Sequence, residues 1–264
     1  MQGALEGALG KLLGERVGVI GAGRTDAGVH ATGQVINFRT GSPLPEATIE
    51  RGVNALLPAD VAVSGIAEVE DGFHARYSAT GRTYNYKIWN APRPRPLLRW
   101  TTWWLHEPLD LGAMEDASRS LVGRRDFGAF AMKVPRHRER TVRRASWSSD
   151  GDGVLTFAIE ADAFLRGMVR GVVGTLVQVG RGKLDAETFA DVLASGDRDR
   201  GGPSAPPQGL CLLRVSYNVP SMEMRASRFG EVTDVDDGRE AYDDGSAAAR
   251  GSRMSEATDP ARAA

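Results

Sequence analysis

Arg24 and Asp26 lie two residues apart in the segment GAGRTDAGVHATGQ at 21–34, surrounded by glycines and by Ala22, Ala27 and Ala31. A carboxylate in such a place can act as a nucleophile or move protons, and a guanidinium can hold an anion or orient the carboxylate through charge-assisted hydrogen bonds. Small neighbours let a ligand approach the backbone, and a loop between two strands is a usual seat for reactive groups. The same residues also make a tight turn in which Asp26 caps neighbouring amides, and the local pattern alone leaves both readings open. A dinucleotide loop is disfavoured, because GAGRTD lacks the GxGxxG spacing and no apolar helix follows it, and the GxxxxGK[ST] phosphate loop is absent. His30, His74, His106 and His137 show no metal-ligand spacing, and the single Cys211 rules out an intramolecular disulfide or a multi-cysteine metal site. A structural metal is not expected.

Cations form the second signal. The net charge of −1 conceals a split, because residues 221–264 carry six Arg against ten acids and leave the rest of the chain at +3. Residues 81–100 hold Arg82, Lys87, Arg93, Arg95 and Arg99 without an acid. Residues 119–144 hold nine cations, among them Arg136, Arg138 and Arg140, against Asp126 and Glu139. One such cluster can be a solvated face; two beside aromatic residues point to a polyanion.

These groups must be positioned by a chain of 264 residues, 41% hydrophobic and 25% charged, which is long enough to bury a sizeable core. Apolar spacing predicts helices over 2–13, 45–57, 109–122, 163–179 and 185–194. Strands are expected at VGVIG (17–21), TGQVINFR (32–39) and VAVSGIAEVE (61–70), with two more in FHARYSATGRTYNYKIWN (73–90) about a glycine turn. RRASWSS and VLTFAIEA, joined by Asp150-Gly151-Asp152-Gly153, read as a hairpin after a basic loop that runs through Arg140, and GLCLLRVSY (209–217) as a last strand. The alternation is that of an α+β chain. Pro92, Pro94 and Pro96 mark a rigid connection near residue 95, giving lobes at 1–95 and 96–219, and the acidic, small-residue-rich segment 220–264 reads as disordered. The most apolar stretch, FLRGMVRGVVGTLVQVG, contains Arg166 and Arg170 and is too short and too charged to span a bilayer; with no leader pattern, a cytoplasmic protein is expected.

The segments GRTDAGVHATGQV, NALLP, FHARYSATGRTYNYKI, DFGAF, FLRGMVRGVVG and GLCLLRVSY, in that order, resemble the tRNA pseudouridine synthase A family across residues 2–219. The resemblance implies two α/β lobes around a mixed, largely antiparallel sheet with a central cleft. It also implies a homodimer that converts uridines 38, 39 and 40 of the tRNA anticodon stem-loop to pseudouridine, a reaction that calls for no organic cofactor or metal. By the same resemblance Asp26 is the catalytic aspartate and Arg24 the arginine that contacts the nucleotide or its phosphate. Tyr84 stacks on the target base, Arg170 pairs with Asp26, and Leu210 or Leu212 lines the base pocket. Phe164 matches a family aromatic with a packing role, and Arg82, Arg136, Arg138 and Arg140 are candidate contacts to the RNA backbone. Without the family, Tyr84 reads as a half-buried strand aromatic and Arg170 as a helix surface residue. Members of the family usually open with a strand of the type YDGTxYxGWQ; here the opening helix comes first, which leaves two readings, a start that lies upstream of Met1 or a first lobe that lacks that strand. The alternative reading is an RNA-binding protein without catalysis.

Overall fold

The computed structural model describes residues 1–133 and 136–218. The acidic segment at 220–264 lies outside the described residues.

The order of elements is α1 (Gln2–Leu13), β1 (Ile20–Gly21), β2 (His30–Ala31), β3 (Ile36–Asn37), α2 (Glu46–Leu56), β4 (Ala79–Asn90), β5 (Trp103–Leu105), α3 (Leu111–Ser118), β6 (Gly123–Asp126), β7 (Glu139–Ser149), β8 (Val154–Ala161), α4 (Met168–Gly180), α5 (Ala186–Ser195) and β9 (Leu210–Tyr217). A mixed sheet runs β2-β9-β4-β8-β7-β6, with β5 also paired to β4. The pairs β9–β4, β4–β8, β8–β7 and β7–β6 are antiparallel, and β2–β9 and β4–β5 are parallel. The chain is therefore α+β, with a largely antiparallel sheet.

Alternation explains the sheet's buried face. Along β8 every second residue is buried, and Phe157 and Ile159 join Tyr86 and Ile88 of β4 in the main core. The apolar face of α4, Val172, Val173, Leu176 and Val177, closes that core with Met114 of α3 alongside and Phe189 of α5. Gly171 and Gly174 permit the close fit: a Cβ would stand 2.4 Å from the Phe130 carbonyl oxygen at the first and 1.7 Å from that of Pro203 at the second. A separate core joins Leu5 and Leu9 of α1 to Ile49 and Val53 of α2.

Several expected strands take another form. VGVIG and TGQVINFR pair over only two residues each, Ile20↔Asn37 and Gly21↔Ile36. VAVSGIAEVE is not a strand, because the polar face of α2 takes the place of a neighbouring strand. Asn54 exchanges two hydrogen bonds with the Val63 backbone, the Gly65 and Ile66 amides donate to Glu50, and the Glu68 amide donates to Glu46. Residues 46, 50 and 54 fall four apart, so one helical stripe meets an extended chain amide by amide. Val61, Val63 and Ile66 pack against the second core, which accounts for the alternation that reads as β. Likewise 73–90 holds one strand and not two. Gly81 lies inside β4 at a register shift, where a Cβ would meet Arg143 at 2.6 Å. The basic segment 119–140 contains β6 and the start of β7 rather than one loop.

Tyr217 ties the last strand to the turn before β4, its hydroxyl donating to the Ala75 carbonyl at 2.5 Å. Burial pushes its phenol up to about 12, against the pull of Arg82. An unfolded tyrosine ionises near about 10, so between pH 10 and 12 the unfolded chain gives up a proton that the folded one keeps. This contribution is whole below pH 10 and is lost as pH rises to 12. Denaturation midpoints are expected to fall through that window, and less steeply in Tyr217→Phe, which also loses about 1 kcal/mol at neutral pH with its hydrogen bond.

Candidate active site

The loop from Ala22 to Val35 is held at both ends. The Ala22 amide donates to the Val35 carbonyl at 2.8 Å and the Gln34 side chain to the Gly23 carbonyl at 2.9 Å. β2 pairs with β9 in the register His30↔Cys211 and Ala31↔Leu212, and the Thr32 and Gly33 amides both donate to the Leu212 carbonyl. At Gly33 a Cβ would fall 1.9 Å from the Leu213 carbonyl oxygen, so only glycine lets the loop lie this close to β9. The Val29 amide closes the turn on the Asp26 carbonyl at 3.1 Å.

So anchored, Asp26 presents a carboxylate that is 25% exposed. Arg170 reaches it from α4 with a 3.0 Å Nη1–Oδ2 ion pair, while its Nε donates to the Ala205 carbonyl at 2.7 Å. With only 15% of its side chain exposed and two directions fixed, this guanidinium sets the orientation of Oδ2. A second arginine, Arg166, stands 3.7 Å from Oδ1 and is 69% exposed.

Tyr84 enters from β4, where it is opposite Leu212 on β9 and Ile159 on β8. Phe164 meets its ring edge-on at a centroid distance of 5.1 Å. Burial raises its phenol pKa, Arg82 opposes that, and the negative charge of Asp26 adds to the rise, so the two side chains share one electrostatic neighbourhood. The register distinguishes the two leucines: Leu212 adjoins Tyr84 and Ala31, whereas Leu210 adjoins Tyr86 in the main core. Arg24 is exposed and has no hydrogen bond or ion pair among the described residues.

The sequence matches the family profile described as tRNA pseudouridine synthase over residues 1–78 and 117–218. The tRNA pseudouridine synthase A of Myxococcus xanthus is 45% identical over 219 residues, which cover 82% of this chain and 83% of that protein. Those of Geobacter sulfurreducens and Moorella thermoacetica are each 45% identical over 219 residues, covering 82% of this chain and 89% of theirs. The chain belongs to the tRNA pseudouridine synthase family. Membership places it among the isomerases, and its helix-backed mixed sheet is the pseudouridine synthase fold.

Within this synthase-family chain the expected RNA-backbone arginines have different surroundings. Arg82 donates to the carbonyls of Ala22, Arg76, Ala79 and Asp162, which makes it a strut tied to the start of the 22–35 loop and not a free cation. Arg136, Arg138 and Arg140 line a groove of about 600 Å³ with Arg124, Asp126 and Asp162. In that groove Arg138 pairs with Asp126 at 2.8 Å and Arg140 donates to the Glu139 carbonyl at 2.5 Å, while Arg136 is exposed. Asp162, which lines the groove, stands two residues before Phe164, whose ring meets that of Tyr84.

Arg166 is the site residue that motif reading left unassigned. Its signal was present in FLRGMVR, which places Arg166 just ahead of α4 and Arg170 in the first turn of that helix. Among the described residues no helix is long and apolar enough to cross a membrane.

Proposed function

We propose that the chain isomerises uridine to pseudouridine at positions 38, 39 and 40 of the tRNA anticodon stem-loop, with Asp26 as the catalytic carboxylate. The observation that carries this reading is the Asp26–Arg170 pair beside Tyr84, assembled from three separate segments of the chain. The relatives act on tRNA by name; the anticodon positions come from the resemblance of GRTDAGVHATGQV and the segments after it.

The reaction needs little else. The N1–C1' bond breaks, the uracil turns in place and C5 joins C1'; N1 then holds a proton and C5 gives one up, so no redox partner or transferred group enters. Asp26 supplies a charged oxygen to the sugar or to the proton leaving C5, while Arg170 keeps the carboxylate aimed. The target base must leave its stack first, and Tyr84, backed by Phe164 and Leu212, offers a fixed aromatic face to receive it. Arg24, two residues before Asp26 and without a partner among the described residues, is available to the displaced nucleotide. Incubation of the chain with unmodified tRNA bearing uridines at 38–40, followed by pseudouridine mapping, tests the reading. Product confined to other positions would overturn the anticodon assignment.

The groove along Arg136, Arg138 and Arg140 supports backbone contact outside the reacting nucleotide. Arg136→Ala is expected to weaken stem-loop binding and lower the log-log salt slope by about one, since its exposed cation makes no ion pair among the described residues. Arg138→Ala is expected to change the slope less, because Asp126 already neutralises that guanidinium. Titrations at several salt concentrations check both.

A homodimer belongs to the same proposal. Leu97 and Trp100 are 92% and 66% exposed, and a second copy would cover that apolar area. Sedimentation giving a monomer mass at micromolar concentration would remove this part alone.

A further inference from the structure

Arg166 and Arg170 hold the two oxygens of Asp26 in different ways. Arg170 is largely buried, and its second bond, to the Ala205 carbonyl, leaves it no freedom to depart. Arg166 combines a fixed backbone with a free side chain. Its carbonyl accepts the Met132 amide at 2.9 Å, and Gly167 follows in a left-handed conformation, φ 75°, with the Met132 side chain filling the place of a Cβ. Its guanidinium is mostly in solvent, and its sole polar contact among the described residues is the 3.7 Å approach of Nε to Asp26 Oδ1. That separation exceeds a hydrogen bond, so attraction of opposite charges holds it, and nothing locks its direction.

We propose that Arg166 is a positioning residue that changes partners: in the free protein it rests against Asp26 Oδ1, and in the RNA complex it grips a backbone phosphate beside the target nucleotide. The inference rests on Asp26 being the catalytic carboxylate. The two arginines approach different oxygens of Asp26, and only the contact at Oδ1 can be released without breaking a buried bond. The ribose that reaches Asp26 carries a phosphodiester on either side, and these are the first anions to come within an arginine's length of that oxygen. Guanidinium recognises phosphate through paired hydrogen bonds, which are stronger and better directed than the contact it gives up. Substrate arrival thereby releases Oδ1 from Arg166 as the backbone is seized.

Arg166→Gln removes the charge from an exposed side chain, and an unchanged urea midpoint will show that the fold is intact. Stem-loop affinity is expected to fall roughly tenfold and the salt slope by about one, with the single-turnover rate at saturating RNA held within about threefold. Arg166→Lys should restore the slope but only part of the affinity, as a point charge does without the paired geometry. Asp26→Asn weakens the resting contact, so it should bind the stem-loop severalfold more tightly when Arg166 is present and show no such gain in the double variant with Arg166→Gln. A salt slope unmoved by Arg166→Gln, or a lost saturated rate with affinity intact, would overturn the exchange. Turnover persisting in Asp26→Asn would instead bring down the Asp26 reading and the exchange with it. An inactive Asp26→Asn beside an unmoved slope would bring down the exchange alone.

Discussion

Asp26→Asn is expected to reduce pseudouridine formation by at least about a thousandfold while the protein still binds the stem-loop at least as well as before. The substitution keeps the planar shape and size of the side chain and removes its charge. An amide cannot attack a sugar or receive a proton as a carboxylate does, so every reaction route that uses Asp26 is blocked. The loop around it does not depend on that charge. The Asp26 carbonyl still accepts the Val29 amide, and Ala22, Gln34, Thr32 and Gly33 still fasten the loop to its neighbours through bonds that never involve the carboxylate. Arg170 keeps its bond to the Ala205 carbonyl. The comparison that matters is product after a long single-turnover incubation against affinity measured on the same preparation. Near-normal product would remove Asp26 from the chemistry; lost affinity together with a lowered urea midpoint would show that the charge holds the loop and does not do the reaction.

Which parts of this site were legible in the sequence follows from how local their causes are. The hairpin of β7 and β8 forms where Asp150-Gly151-Asp152-Gly153 predicts it, because Asp150 accepts from the amides of Asp152 and Val154 within the turn itself. Likewise α1 and α2 follow their own apolar spacing. The segment 61–70 carries the same alternation as a strand, but its amides meet Glu46, Glu50 and Asn54, and nothing near it in sequence names those partners. Gly81 has the chemistry of a turn and serves instead to admit Arg143 at a strand crossing. The pairing of Asp26 with Arg170 spans 144 residues and was reached through family resemblance, since composition around Arg170 reads as an ordinary helix surface. Arg82 shows the converse case: its position in a cation-rich run pointed outward, whereas four carbonyls turn it inward.

Gly174→Ala is expected to destabilise the protein by at least about 2 kcal/mol and to take most of the activity with it, although alanine is the better helix former. In an open helix interior the exchange gains up to about 1 kcal/mol, and Gly7 of α1, with no atom within 4 Å of a Cβ, provides that control. At Gly174 the added carbon would stand 1.7 Å from the Pro203 carbonyl oxygen, 2.9 Å from its carbon and 3.1 Å from the Ala205 nitrogen. Backbone atoms cannot swing aside as a flexible side chain does, so either α4 or the segment 203–205 must move. That segment is stitched to the helix at both ends: the Gly202 amide donates to Thr175 at 2.9 Å, and the Ala205 amide donates to the Arg170 carbonyl at 2.9 Å. Shifting it also withdraws the Ala205 carbonyl from Arg170 Nε, and with it the bond that fixes the guanidinium on Asp26. One methyl group would thus reach the Asp26 carboxylate through a chain of contacts that begins about a turn away on α4. Urea midpoints of Gly174→Ala and Gly7→Ala, read beside their single-turnover rates, check the argument. A Gly174→Ala protein as stable and as active as the unaltered chain would show that the helix and the 203–205 segment separate without cost, and that Arg170 is held by Asp26 alone.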